Sequence, residues 1–219
     1  MRIGILGGTG PAGRGLAVRL AARGDEIVIG SRDAERAASV ALGLVNAWPD
    51  QTLAITGASN EDTAACGLVV VATPWDATLA TVKPLRAALA RKVVVSMVVA
   101  LAKEGREFHG LMTPRGSMAA ALQAALPDSM VAASLHHLPA SEMEDLSSSL
   151  AADVLVCSDH PEATAATVAM VDRIDGLRAV DAGSLAQAAS IETFTAVLIT
   201  INIRHKVHAS LQLTGYGDR

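Results

Sequence analysis

The chain has 219 residues, of which 51% are apolar, 18% charged and 2% aromatic, and its 18 Lys and Arg against 22 Asp and Glu leave a net charge of −4. That hydrophobicity excludes a disordered chain, and the length suits one large domain with at most a small appendage. A negative chain whose only rings are Trp48, Trp75, Phe108, Phe194 and Tyr216 has neither the basic groove nor the stacking platforms of a nucleic-acid binder, so no nucleic-acid partner is expected.

Along the chain, short β-branched runs alternate with alanine- and leucine-rich stretches of helical period. This pattern predicts an α/β fold, a Rossmann-type doubly wound and mostly parallel sheet. Strands are expected at 2–6, 26–29, 52–56, 68–72, 92–96, 130–133, 153–157 and 177–180, and helices at 11–23, 33–47, 76–90, 117–126 and 161–174. Continuous apolar runs such as Leu68-Val69-Val70-Val71 mark strands covered on both faces. Pro11 and Pro161 suit first-turn helix positions, and Ser31 or Asp33 can cap the second helix. After residue 183 the alternation stops. Residues 184–203 read as one long helix, followed by a basic stretch at 204–208, so the chain divides into a 1–183 nucleotide-binding domain and a 184–219 helical segment too short to hold its own core. No charge-free apolar stretch reaches the roughly 18–20 residues of a membrane span, and the N-terminus has no signal-peptide h-region, so a cytoplasmic protein without membrane partners is expected.

The sharpest motif is Gly8-Thr9-Gly10-Pro11-Ala12-Gly13, a G-x-G-x-x-G that follows the first strand and opens the first helix. Gly8 is expected to permit the turn, Gly10 to let the backbone approach a pyrophosphate, and Gly13 to let helix and strand pack closely, with unpaired helix N–H groups facing the phosphates. The second strand then selects the dinucleotide. Where an NAD site carries an acidic residue for the ribose, this chain reads Gly30-Ser31-Arg32, with Arg36 one turn further on. A hydroxyl and two guanidinium groups suit a 2′-phosphate, which points to NADP(H), and Asp33 is assigned to the first turn of the helix. The single tyrosine, Tyr216, rules out a Ser-x-x-x-Tyr-x-x-x-Lys triad, and no His, Glu or Cys cluster has metal-ligand spacing. Cys66 and Cys157 are expected to be small buried hydrophobes.

Together with Gly7 to Ala17 and Ile29-Gly30-Ser31-Arg32, the stretches Thr73-Pro74-Trp75, Ser134-Leu135-His136-His137-Leu138-Pro139-Ala140, Asp153-Val154-Leu155-Val156-Cys157, Asp175-Gly176-Leu177-Arg178 and Asp181-Ala182-Gly183 give the whole chain a resemblance to a known family. It resembles the NADPH-dependent reductases of the 5-deazaflavin coenzyme F420. The resemblance implies reversible hydride exchange between NADP(H) and F420, face to face in a cleft between the Rossmann domain and the C-terminal segment, usually in a homodimer. It places NADP at the glycine loop (Gly8, Thr9, Gly10, Pro11, Ala12, Gly13) and at Ser31, Arg32 and Arg36. Thr73, Pro74, Trp75 and Ser96 would lie near the nicotinamide ribose and the fifth-strand end, and His136, His137 and Leu138 beside the deazaflavin. No acid–base residue is implied, and His136 and Trp75 are the candidates for positioning the rings. The fifth strand runs on as Ser96-Met97-Val98-Val99, where several relatives carry a proline-containing turn. The basic residues 204–208 are candidates for the anionic tail of F420. Two other readings remain open on the residues alone: an NADP-dependent reductase of a small carbonyl or imine, with Lys103 or His136 as its acid, and a non-catalytic NADPH-sensing module signalling through the C-terminal helix.

Overall fold

The computed structural model describes residues 1–217. In chain order it contains β1 (Arg2–Leu6), α1 (Pro11–Ala22), β2 (Glu26–Ser31), α2 (Ala34–Ala47), β3 (Ile55–Ser59), α3 (Asn60–Ala64), β4 (Leu68–Val71), α4 (Trp75–Val82), α5 (Arg86–Leu89) and β5 (Val93–Ser96). There follow a hairpin, β6 (Leu101–Glu104) and β7 (Glu107–Gly110), then α6 (Met118–Ala125), β8 (Met130–Ala133), α7 (Ala140–Glu144), β9 (Ala152–Ser158), α8 (Pro161–Val171), β10 (Leu177–Asp181) and α9 (Ala188–His205). Eight strands form one sheet in the order β10-β9-β8-β5-β4-β1-β2-β3. The six from β3 to β8 are parallel, whereas β9 runs antiparallel to β8 and carries β10 parallel to itself. The expected doubly wound, mostly parallel sheet is therefore present, with a reversed pair at one edge. Its strand order turns at β1, between β2 and β4, and such a switch point opens a crevice at the carboxyl ends of the strands.

The sheet is buried on both faces, which is why β4 can be Leu-Val-Val-Val throughout. Ile3, Ile5, Ile27, Ile29 and Val70 pack with Leu16 and Leu20 of α1 and Leu44 of α2, and Val154 joins them with Met170 of α8. On the other face Leu6, Val69, Val71 and Val94 meet Val82 of α4, Leu122 of α6 and Ile191 of α9.

Local chemistry explains where elements depart from the expected bounds. The helix expected over 76–90 breaks into α4, a 3-10 turn at Lys83–Leu85 and α5, because Pro84 has no N–H to continue the ladder. The third strand lies three residues later than expected, where Ile55 to Ser59 pair in register with Ile27 to Ser31. The hairpin and the short helices α3 and α7 were not expected. Arg19 of α1 holds α7 in place: its guanidinium donates to the carbonyls of Glu142 (2.6 Å), Met143 (3.1 Å), Asp145 (2.5 Å) and Ser148 (2.9 Å), which compensates for burying the charge.

The C-terminal segment packs on the sheet domain. Glu192 of α9 accepts hydrogen bonds from the N–H groups of Met118 (2.8 Å) and Ala119 (3.0 Å) at the start of α6, and the N–H of Phe108 in the hairpin donates to Thr200 Oγ1 (3.0 Å). The chain then turns at Lys206 in a left-handed conformation and returns along the start of β9. There Asp153 N donates to the Leu211 carbonyl (2.8 Å) and Leu213 N to the Asp153 carboxylate (2.6 Å). By length and composition, Leu185–His205 is apolar enough to cross a bilayer, although it carries Glu192 and Arg204.

Candidate dinucleotide cleft

A cleft of about 590 Å³ opens at the switch point, within the roughly 300–1,000 Å³ typical of coenzyme sites. Its phosphate end is the glycine loop. The positive φ of the turn falls on Gly7 (+76°), a correction to the role expected of Gly8. Gly8 is needed for another reason, since a Cβ there would stand 2.6 Å from Ile29 Cβ. At Gly13 a Cβ would stand 2.7 Å from the Gly8 α-carbon, the close helix–strand approach expected of that position. Neither Gly8 nor Gly13 lines the cleft, whereas Thr9, Gly10, Pro11 and Ala12 do. Gly10 is the N-cap of α1 and Pro11 its first residue, and with no side-chain cap there the N–H groups of the first turn face the cleft.

Ser31, Arg32 and Arg36 line the wall beyond the second strand. Asp33 serves α2 as its N-cap, accepting from Arg36 N at 3.0 Å, while Ser31 Oγ accepts from Asp33 N at 3.2 Å. The Asp33 carboxylate is thus committed to the helix start. Neither the Arg32 nor the Arg36 guanidinium makes an ion pair among the described residues, so both stay available for an anion. Asn60 closes this end of the cleft.

Thr73, Pro74 and Trp75 line the opposite end. Thr73 shares a 2.8 Å hydrogen bond with Thr78 Oγ1, which itself donates to the Pro74 carbonyl, and this ties the turn to α4. Trp75 opens α4 and is 40% exposed, so it faces the cleft rather than filling the core. Ser96 lies beneath the surface with its hydroxyl accepting from Val98 N at 3.4 Å. The cleft wall there is built instead by the turn after β5, with Met97, Val98, Val99 and Leu101.

His136, His137 and Leu138 also lie outside the cleft lining. Their loop leaves β8 beside the end of β5, where Ser134 N donates to the Ser96 carbonyl at 3.0 Å. His137 Nε2 is 2.8 Å from the Asp153 carbonyl, whereas both ring nitrogens of His136 are buried without a protein partner. Burial, assisted by His137, pushes the His136 pKa down to about 3, so its ring is neutral at physiological pH. Among the described lining residues, the only ionisable side chains of the cleft are Arg32 and Arg36.

Asn60, which the sequence pattern did not single out, follows directly after β3, just as the Met97 to Val99 turn follows β5. That position was itself a usable signal, since ligands in such sheets bind outside the carboxyl ends of the strands.

Comparison with known proteins bears on what this cleft serves. Residues 2–100 match the family described as NADP oxidoreductase, coenzyme F420-dependent. The F420-dependent NADP reductase of Methanocaldococcus jannaschii is 37% identical over 211 residues, covering 94% of each chain. The chain belongs to the F420-dependent NADP oxidoreductase family. The corresponding reductase of Methanothermobacter thermautotrophicus is 35% identical over 225 residues, covering 100% of this chain and 97% of its own. A crystal structure from Arthrobacter sp. FB24, provisionally given the same activity, superposes with a TM-score of 0.81 at 25% identity, over 96% of this chain and 97% of that one. The matches to these relatives extend across both the sheet domain and α9, over nearly their whole lengths.

Proposed function

We infer that this chain transfers hydride reversibly between NADP(H) and coenzyme F420. The observation that carries the reading is the composition of the cleft: two free guanidinium groups at one end, uncapped helix N–H groups in the middle, and no acid or base among the described residues of its wall. Both coenzymes are hydride carriers, so the bond-making reactivity is theirs. The protein's part is to hold donor and acceptor carbons about 3–3.5 Å apart and keep water out. Arg32 and Arg36, with the Ser31 hydroxyl, bind the 2′-phosphate. The start of α1 holds the pyrophosphate, Trp75 and Thr73 bracket the nicotinamide ribose, and the Met97 to Leu101 wall excludes water from the ring.

The deazaflavin is proposed to lie against the 134–139 loop, where the unpartnered His136 ring supplies a neutral hydrogen-bonding group and, within residues 204–208, Lys206 offers charge to the anionic tail while Arg204 is held by Glu107. A protein acid is not required. Of the acids that a carbonyl or imine reductase would use, His136 is neutral and Lys103 lies over the Phe108 ring at 5.9 Å, away from the cleft wall. No particular feature favours the sensing module.

The chain is proposed to act as a cytoplasmic homodimer without nucleic-acid or membrane partners. Phe194, Val197 and Ile201 form an exposed apolar stripe on one face of α9, and pairing with a second copy would cover it. The same pairing accounts for the apolar character of that helix without a bilayer. Mixing the protein with NADPH and oxidised F420 and following the deazaflavin absorbance tests the activity: reduction stoichiometric with NADPH is expected, and a folded, NADPH-binding protein that leaves F420 oxidised would refute it.

A further inference from the structure

We propose that Asn60 is a coenzyme-reading residue whose side-chain amide binds the adenosine end of NADP, next to the 2′-phosphate grip of Ser31, Arg32 and Arg36. The proposal rests on the NADP reading and adds a recognition element to it. Asn60 is the first residue of α3 and follows directly on the pair Ser31↔Ser59, so it stands beside the phosphate-selecting turn. It lines the cleft yet is only 8% exposed. Its Oδ1 is buried without a hydrogen-bond partner, and its amide nitrogen makes no hydrogen bond to any described residue.

An asparagine amide has two donors and two acceptor sites, and a buried carbonyl oxygen left without a donor, as Oδ1 is here, is costly and rare. The start of α3 does not need it. Ser59 already caps that helix, accepting from Asp62 N at 3.1 Å and donating to the Asp62 carboxylate at 2.8 Å, while the Thr63 hydroxyl donates to the Ser59 carbonyl at 2.7 Å. The neighbouring strand is shaped around the amide. A Cβ built on Gly30 would stand 3.1 Å from Asn60 Oδ1 and 2.7 Å from Thr63 Oγ1, so the glycine leaves the space that the side chain occupies at the cleft floor.

A neutral group offering both a donor and an acceptor suits a partner that offers both in return. The adenosine part of the coenzyme does so, through its ribose hydroxyl and the edge of its base, whereas a phosphate alone would meet the carbonyl oxygen unfavourably. The two arginines supply the charge, and Asn60 reads the nucleoside.

The test titrates the full-length wild type, Asn60→Ala and Asn60→Asp with adenosine 2′,5′-bisphosphate and with reduced nicotinamide mononucleotide. Asn60→Ala is expected to weaken the bisphosphate about 10-fold, leave the mononucleotide unchanged, and not lower the Tm of the ligand-free protein, since it removes an unpaired buried group. Asn60→Asp, of the same shape, sets a carboxylate beside the 2′-phosphate and should lose more affinity for the bisphosphate than for 5′-AMP. It also carries the comparison should the alanine variant fail to fold. Unchanged bisphosphate affinity in a folded variant, or a loss of Tm without a loss of affinity, overturns the role of Asn60 while leaving the NADP assignment intact. A wild type that fails to bind the bisphosphate overturns both.

Discussion

Glu192 joins the C-terminal helix to the sheet domain, and replacing it with glutamine should change how stability depends on pH. The carboxylate is 4% exposed, and it receives the first two N–H groups of α6 at 2.8 and 3.0 Å. Those donors favour its charged form, but the loss of water outweighs them, and burial raises its pKa from 4.5 to about 7. The same negative charge, added to burial, helps push the neighbouring Cys157 thiol up to about 12, so this cysteine is inert. A carboxyl whose folded pKa lies above its unfolded value binds a proton in the native state that the unfolded chain has already released. Its contribution to stability is full below pH 4.5 and falls as the pH rises towards 7 and beyond. A shift of about 2.5 units, at about 1.4 kcal/mol each, predicts that the wild type loses about 2–3 kcal/mol relative to Glu192→Gln between pH 5 and pH 8. Other titrating groups are common to both proteins and cancel in the difference. Chemical denaturation of both at pH 5, 6, 7 and 8 measures it. A difference in unfolding free energy that stays constant across that range would show that Glu192 is ionised throughout, and would refute a desolvated carboxyl at this junction.

Arg32→Ala should raise the KM for NADPH by about 10- to 100-fold, the loss of a charge-assisted contact to phosphate, and leave that for NADH almost unaffected; equal effects on both would contradict the 2′-phosphate assignment. On the exposed stripe of α9, Ile201→Asp should convert a dimer to a monomer in light scattering while leaving NADPH binding to the sheet domain in place. A wild type that is already monomeric would remove the stripe from the interface.

How much of this was visible in the sequence follows from the range of the interactions involved. The Ser31-Arg32 turn and the apolar runs of β4 and β5 are local signals that fall at the elements their patterns point to, whereas in the glycine loop the positive φ falls on Gly7 rather than Gly8. The shift of β3 is a register effect: Ile55 pairs with Ile27 across the sheet, and nothing within 52–59 states that alignment. The hairpin of β6 and β7 carries Lys103, Glu104, Glu107 and His109 with no clean alternation, and its form depends on α9, against which Gly110 packs so closely that a Cβ would stand 2.7 Å from Thr193 Cγ2. Arg19 reads as an ordinary helix residue until four carbonyls over a hundred positions away converge on it. Asn60 is masked by its neighbours, because Ser59-Asn60-Glu61-Asp62 has the composition of a helix start and the burial that leaves its amide without a partner exists only in the fold. The loop at 134–139 stood out by resemblance, and the structure adds that its His136 ring is buried and neutral.

Isotope tracing decides whether hydride passes directly between the two coenzymes in a cleft whose described wall holds no acid or base. With NADPH deuterated at its transferable position and oxidised F420 in ordinary water, the deuterium should appear in full on the deazaflavin ring carbon, at a rate independent of pH across the neutral range. Deuterium lost to solvent, or a rate that follows the titration of a protein group, would contradict it.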